Sequence, residues 1–112
     1  MKPTITAIIP ALNEEKNLKG AVDSFRGAVK EHFSGYEIIL FDDCSSDGTG
    51  AIADLLAASD NNIRAIHNEK RMGLGYNYFK GLELATKDYV IMVPGDNEIE
   101  EESVKQIVSM AG

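Results

Sequence analysis

Cysteine is nearly absent. Cys44 is the only one in 112 residues, so no internal disulfide can form, and the cytosol, where thiols stay reduced, is the expected compartment. Tryptophan is missing altogether, which decides little. Positive charge is scarce: 11 Lys and Arg stand against 18 Asp and Glu, a formal net charge of -7. That surplus repels phosphate backbones and argues against sequence-independent nucleic-acid binding. It also disfavours a polybasic membrane patch. No apolar run approaches the roughly 20 residues of a membrane span. Met1-Lys2-Pro3-Thr4 leads straight into a strand pattern without a signal-peptide layout. Repeats, low-complexity tracts and linkers are likewise missing.

What is present is the composition of a soluble globular chain, with 44% hydrophobic and 26% charged residues, and a length that suits one domain, residues 1–112. Strand-length apolar runs alternate with helical spacing. Thr4 to Ile9, Tyr36 to Phe41, Ile63 to His67 and Tyr89 to Val93 read as strands. Glu14 to Phe33 carries Leu18, Val22, Phe25, Val29 and Phe33 at intervals of three or four, one helix face. Further helices are expected over Gly48–Ser59, Gly73–Thr86 and Glu101–Ala111. The strands are apolar on both faces, as parallel strands covered by helices are. Four βα units with right-handed crossovers predict an α/β fold: a three-layer, doubly wound, mainly parallel sheet. Gly81 inside the third helix costs about 1 kcal/mol relative to Ala, which predicts close packing there.

Ligands of such sheets bind beyond the carboxyl ends of the strands. Here those ends read Pro10-Ala11-Leu12-Asn13-Glu14-Glu15, Asp42-Asp43-Cys44-Ser45-Ser46-Asp47-Gly48-Thr49, Asn68-Glu69-Lys70-Arg71-Met72-Gly73 and Pro94-Gly95-Asp96-Asn97-Glu98. Acids, amides and an arginine gather on one rim. Clustered carboxylates raise one another's pKa values, and a divalent cation relieves that cost. Mg²⁺ or Mn²⁺ takes oxygen ligands and commonly bridges carboxylates to substrate phosphates. The rim therefore points to a metal-assisted site for a phosphorylated ligand. Neither a P-loop nor a Gly-x-Gly-x-x-Gly turn follows the first strand, so a dinucleotide site is not indicated.

Pro10-Ala11-Leu12-Asn13-Glu14, the Asp42–Thr49 run and Asp96-Asn97-Glu98 together resemble family 2 glycosyltransferases, inverting enzymes with the GT-A nucleotide-diphospho-sugar transferase fold. The opening motif with Lys16-Asn17-Leu18 is most similar to the polyprenol-phosphate sugar synthase branch. The resemblance spans essentially the whole chain. It implies that Pro10 to Glu14, including Leu12 and Asn13, line a nucleotide pocket, with Glu14 near base or ribose. It implies that Asp42 or Asp43 accepts a hydrogen bond from a ring N–H of the base. Arg71 and Gly73 correspond to a stretch near base or phosphates, and Asn77 to a position facing the nucleotide. Asp96 would contact ribose or metal-bound water, and Glu98 would ligate Mg²⁺ or Mn²⁺. Glu98 departs from the family's Asp at that place, which alters metal geometry rather than metal binding.

Each of these residues also has a plain structural reading. Asn13 is a candidate helix N-cap with Glu14 and Glu15 favouring the dipole. Asp47, Gly48 and Thr49 are expected to start the second helix. Cys44 is expected to be a small buried thiol, and His32 and His67 to be structural, having no partner at metal-ligand spacing. The family's general base lies well after the Asp-x-Asp motif, so it is expected beyond Gly112. On that reading the chain is the nucleotide-binding part of a longer enzyme, with little transfer activity by itself. The expected donor is a UDP- or GDP-sugar. The acceptor is open, with a lipid-linked polyprenyl phosphate as the motif's candidate, and self-association through exposed apolar surface is a further expectation. The competing classes are a phospho-acceptor receiver domain, whose acidic pair would follow the first strand rather than the second, and a catalytically silent nucleotide-binding module.

Overall fold

Strands and helices alternate through the computed structural model, which describes residues 2–93 and Gly95. They run β1 (Thr4–Ala11), α1 (Leu18–Val29), β2 (Gly35–Asp42), α2 (Thr49–Ser59), β3 (Ile63–His67), α3 (Gly73–Leu84) and β4 (Tyr89–Met92). Asp96, Asn97, Glu98 and the expected helix over Glu101–Ala111 lie outside the described residues. The strands pair in parallel in the order β3-β2-β1-β4.

Side-chain alternation along the strands builds the layers. Ile5, Ala7 and Ile9 of β1 pack with Ile38, Leu40 and Ile63 beneath Leu18, Val22, Phe25 and Val29 of α1 and Ala53 and Leu56 of α2. Ile8 points the other way, with Ile39 and Phe41, beneath Tyr78 and Leu84 of α3. Right-handed crossovers require this division, because β1→β2→β3 steps one way and β3→β4 returns to the far side of β1. The reversal beside β1 is the topological switch point. The expected three-layer, doubly wound parallel sheet is what the chain forms.

The first helix is shorter than its apolar period. Residues 14–17 form a turn in which the N–H groups of Asn17 and Leu18 both bond to the Glu14 carbonyl. Asn17, not Asn13, holds the N-cap position, while Asn13 is left-handed at φ 55°. At the other end Phe33 is buried although the helix stops at Val29, since its N–H still reaches the Val29 carbonyl. Burial continues one turn past the regular helix, so spacing alone overestimates its length.

Gly81 has the expected reason for being there. A Cβ on it would lie 2.5 Å from Ile8 Cδ1 and 2.6 Å from Ile8 Cγ1, so α3 rests directly on the central strand. Gly95 serves a similar purpose. Its Cβ would lie 2.8 Å from the Pro10 carbonyl oxygen, to which its N–H donates at 3.2 Å. It lets the β4 exit lie against the end of β1. Phe79 and Leu82 on α3 and Tyr89 and Met92 on β4 remain exposed.

Candidate functional site

The two adjacent acids at the end of β2 face opposite sides of the sheet, because strand side chains alternate. Asp42 turns towards α2. Its Oδ2 meets His67 Nδ1 at 2.9 Å and its Oδ1 accepts from the Ser45 N–H at 3.0 Å. His67 Nε2 meets Asp54 Oδ1 on α2 at 2.8 Å, so the imidazole is clasped between two carboxylates. Gly50 makes room for the clasp, since a Cβ there would lie 2.7 Å from Asp42 Oδ2. The hydrogen bonds to Asp42 and then Asp54 hold the His67 pKa above its usual value, outweighing burial. Burial pushes the Asp42 carboxyl up, but the His67 and Ser45 hydrogen bonds prevail and leave it low.

A pH dependence follows. A histidine whose pKa is raised on folding stabilises fully below its unfolded value near 6.5 and loses that contribution as pH rises through the folded value. His67→Gln is therefore expected to lower the urea midpoint relative to wild type at about pH 6, with the gap narrowing by about pH 9. A gap that does not change with pH would mean that the clasp is not charged.

Asp43 turns towards α3 and is buried. Its Oδ1 accepts from Asn68 Nδ2 and from the Met72 N–H, both at 2.8 Å, and its Oδ2 accepts from the Gly73 N–H at 3.0 Å. The carboxylate caps the N-terminus of α3, where free N–H groups and the helix dipole favour negative charge. Burial pushes its pKa up, yet the Met72 N–H, the Asn68 amide, the Gly73 N–H and the nearby Asn77 amide together hold it below the ordinary carboxylate range. A carboxylate has about four acceptor positions. Three are taken, which leaves one on Oδ2.

The β1–α1 and β2–α2 loops are stapled to each other. Asn13 N–H donates to Ser45 Oγ at 3.0 Å, and Ser46 N–H to Asn13 Oδ1 at 2.8 Å. Glu14 N–H donates to Thr49 Oγ1 at 2.7 Å, Glu15 N–H to Asp47 Oδ2 at 3.3 Å, and Gly48 N–H to Glu15 Oε2 at 3.1 Å. Asp47 Oδ1 also accepts the Thr49 N–H at the start of α2. The Thr49 hydroxyl is the first cause of the lowered Asp47 pKa. Cys44 is exposed and left-handed at φ 62°, not the buried thiol expected. The tight exit from β2 turns its side chain outward.

A cavity of about 160 Å³ opens beside the switch point on the α3 side, lined by Pro10, Ala11, Leu12, Asp43, Gly73, Leu74 and Asn77. Five positions picked from the sequence thus converge: Pro10, Leu12, Asp43, Gly73 and Asn77. Apolar Leu12 and Leu74 are exposed at its mouth, and Asp43 and Asn77 supply its polar wall. Asn77 is 1% exposed, accepts from Asn68 Nδ2 at 2.7 Å through Oδ1, and has no partner for Nδ2 among the described residues. A larger hollow of about 620 Å³ lies next to it, against His67, Asn68, Glu69 and Tyr76.

The remaining sequence candidates fall elsewhere. Asp42 lies under α2 in the histidine clasp, and Asn13 and Glu14 are in the stapled loops, none of them lining the cavity. Arg71 is exposed on the β3–α3 loop and does not line it. Asp96 and Glu98 lie outside the described residues. Among the described residues no three His, Cys, Asp or Glu side chains cluster in a way that holds a metal ion. Asn68 was missed as a site residue. The signal was its register: Asp42 pairs with His67, so the next residues on each strand, Asp43 and Asn68, emerge side by side.

A parallel sheet with a polar cleft at its switch point is the open α/β class of fold that takes ligands beyond its strand ends. Residues 6–112 match Glycosyl transferase family 2, and the chain belongs to that family. It is 36% identical over 91 residues to the polyprenol monophosphomannose synthase of Mycolicibacterium smegmatis, covering 80% of this chain and 33% of that protein. Among solved structures it resembles S. aureus TarS 1-349 in complex with UDP-GlcNAc, at TM-score 0.74 and 26% identity, over 97% of this chain and 30% of that one. The mannosyltransferase PcManGT from Pyrobaculum calidifontis, in complex with GDP-Man and Mn2+, shares the fold at TM-score 0.76 and 19% identity, over 100% of this chain and 33% of that one. The architecture is that of GT-A glycosyltransferases. The chain spans between about a third and two-fifths of the length of the curated relatives it matches. Among the described residues no helix is long and apolar enough to cross a membrane.

Proposed function

We propose that this chain is the nucleotide-sugar-binding part of an inverting glycosyltransferase. The observation that carries the reading is Asp43: a buried carboxylate kept ionised at a helix N-terminus, with one acceptor position open on the wall of a cleft at the switch point. Such a group suits a ring N–H of a nucleobase. Pro10, Leu12 and Leu74 offer apolar surface for the flat faces of the ring. The complexes of TarS with UDP-GlcNAc and of PcManGT with GDP-Man support a nucleotide-sugar ligand, and both UDP- and GDP-sugars stand as candidates. The likeness to polyprenol monophosphomannose synthase favours a lipid-linked phosphate as acceptor.

In this reaction an acceptor oxygen attacks the anomeric carbon and the nucleoside diphosphate departs. Asp96 and Glu98 are the residues that would hold Mg²⁺ or Mn²⁺. A bound divalent cation offsets the charge that develops on a leaving diphosphate. The described residues bind and orient: Asp43 fixes the base, and Gly95 anchors the exit of β4 against Pro10, at the cleft rim.

Calorimetric titration with UDP and GDP, with and without Mn²⁺, tests this. Binding of one nucleotide, strengthened by Mn²⁺ in the wild type but not in Asp96→Ala, is expected. A chain that binds neither nucleotide would overturn the reading. An Asp96→Ala variant with full Mn²⁺ dependence would overturn the metal assignment.

A further inference from the structure

Asp43 does not hold its orientation alone. Asn68, which lines the larger neighbouring hollow rather than the cavity, reaches Asp43 Oδ1 at 2.8 Å and Asn77 Oδ1 at 2.7 Å with its amide nitrogen. Its backbone N–H is tied to the Asp42 carbonyl at 2.9 Å. The directions of these bonds are fixed by chemistry. Asp43 is a carboxylate and only accepts, so Asn68 must present its amide nitrogen. With both hydrogens of that nitrogen given away, Asn77 must present its oxygen. The chain therefore runs one way, from Asn68 into both neighbours, and leaves the Asn77 amide nitrogen without a partner at hydrogen-bond distance among the described residues, though near enough to Asp43 to help keep its carboxyl low.

We infer that Asn77 and Asn68 form an amide relay that fixes Asp43 as a single-oxygen acceptor facing the cleft, which makes both of them positioning residues for the recognition of the nucleobase. This rests on the nucleotide reading of the cleft. The relay fills Oδ1 completely, so the position still open is on Oδ2. Without the relay, the carboxylate keeps the Met72 N–H on Oδ1 and the Gly73 N–H on Oδ2 but loses the side-chain donor that fixes its tilt between them. The relay also carries a cost that a purely structural residue would avoid. Asn77 is 1% exposed on the cleft-facing side of α3, and its donor is unsatisfied there. A leucine, with the same number of side-chain heavy atoms, has no such donor. The expected signature is therefore a separation of stability from base recognition.

The test compares wild type, Asn77→Leu, Asn68→Ala and the double variant. Calorimetry measures affinity for the nucleoside diphosphate the wild type binds, UDP or GDP, and for inorganic pyrophosphate, both with Mn²⁺. Each single variant is expected to bind the nucleotide about tenfold more weakly, the worth of one charge-assisted hydrogen bond. Pyrophosphate, which has no base, is expected to bind as it does to wild type. The double variant is expected to be no weaker than the weaker single, because removing either link breaks the same relay. Asn68→Ala lies on a half-buried loop, so it carries the test if Asn77→Leu fails to fold. Unchanged nucleotide affinity in the single variants, equal losses for nucleotide and pyrophosphate, or additive losses in the double variant would each overturn the relay. If wild type binds neither UDP nor GDP, the nucleotide reading falls and the relay with it. If wild type binds and the variants match it, the relay alone falls.

Discussion

Asp43→Ala is expected to lower the stability of the chain by about 3 kcal/mol and to abolish measurable nucleotide binding. The stability loss comes from three donors left without their acceptor: the N–H groups of Met72 and Gly73 and the Asn68 amide. Hydrogen bonds to a charged group contribute about 1.5–3 kcal/mol each, and a lost helix cap costs about 1 kcal/mol. The three share one carboxylate and one loop, so the sum is well below additive. For a domain of this size the melting temperature is expected to fall by about 10–20 °C. Asp43→Asn separates the two roles. It keeps an acceptor at Oδ1 but places an amide nitrogen against the Gly73 N–H and in front of the ligand. Roughly a hundredfold weaker nucleotide binding is expected from it, with a smaller loss of stability. Because the folded pKa of Asp43 is lowered, its contribution to stability is present above the unfolded carboxylate pKa and is lost as pH falls through the lower folded value. Thermal melts and titration of the two variants check this. An Asp43→Ala protein that melts within a few degrees of wild type would show that α3 does not depend on this cap.

The second large effect is steric. Gly81→Val is expected to destabilise by more than about 3 kcal/mol, and Gly81→Ala by about 1–3 kcal/mol, although alanine is the better helix former by about 1 kcal/mol. The Cβ has nowhere to go: Ile8 Cδ1, Cγ1 and Cγ2 lie 2.5, 2.6 and 2.9 Å from where it would stand, and Ile8 is fully buried in the central strand. A cycle of Gly81→Ala with Ile8→Ala is decisive. Ile8→Ala alone opens a cavity and costs about 2–5 kcal/mol. In the double variant the methyl group introduced on α3 would occupy part of that space, so the two separate losses are expected to sum to more than the measured total. Additive losses in urea denaturation would mean that helix and strand separate to admit the methyl group, and that Gly81 is not the contact point between them.

Much of the fold was legible in the order of the residues. Continuous apolar runs such as Ile5–Ile9 and Ile38–Phe41 mark strands buried on both faces, and the period of Leu18, Val22, Phe25 and Val29 marks a helix face. These signals are local. The ends of α1 were not legible, because Asn13 has the chemistry of an N-cap but gives its side chain to Ser46 of another loop. Helix propensity at residues 13–17 lost to a tertiary contact. The candidate site was half legible. Five residues picked from the polar strand ends and the helix after them share one cavity. Asp42 was as good a candidate as Asp43 while they were only neighbours in sequence. Pleating separates them, sending Asp42 to His67 and Asp54 and Asp43 to the cleft.

By itself, then, the sequence determined the α/β class, the alternation of its units and the rim on which polar groups collect, since these depend on periodicity and on which residues follow each strand. Only the tertiary structure decided which acid faces the cleft, that Asn68 bonds to it, and that the Asn13–Glu15 and Ser45–Thr49 segments are stapled together. Each of those depends on strand register and on the return of α3 across the sheet. Both bring together residues as far apart as Asn13 and Ser46, or Asp43 and Gly73, and no local pattern encodes such pairs.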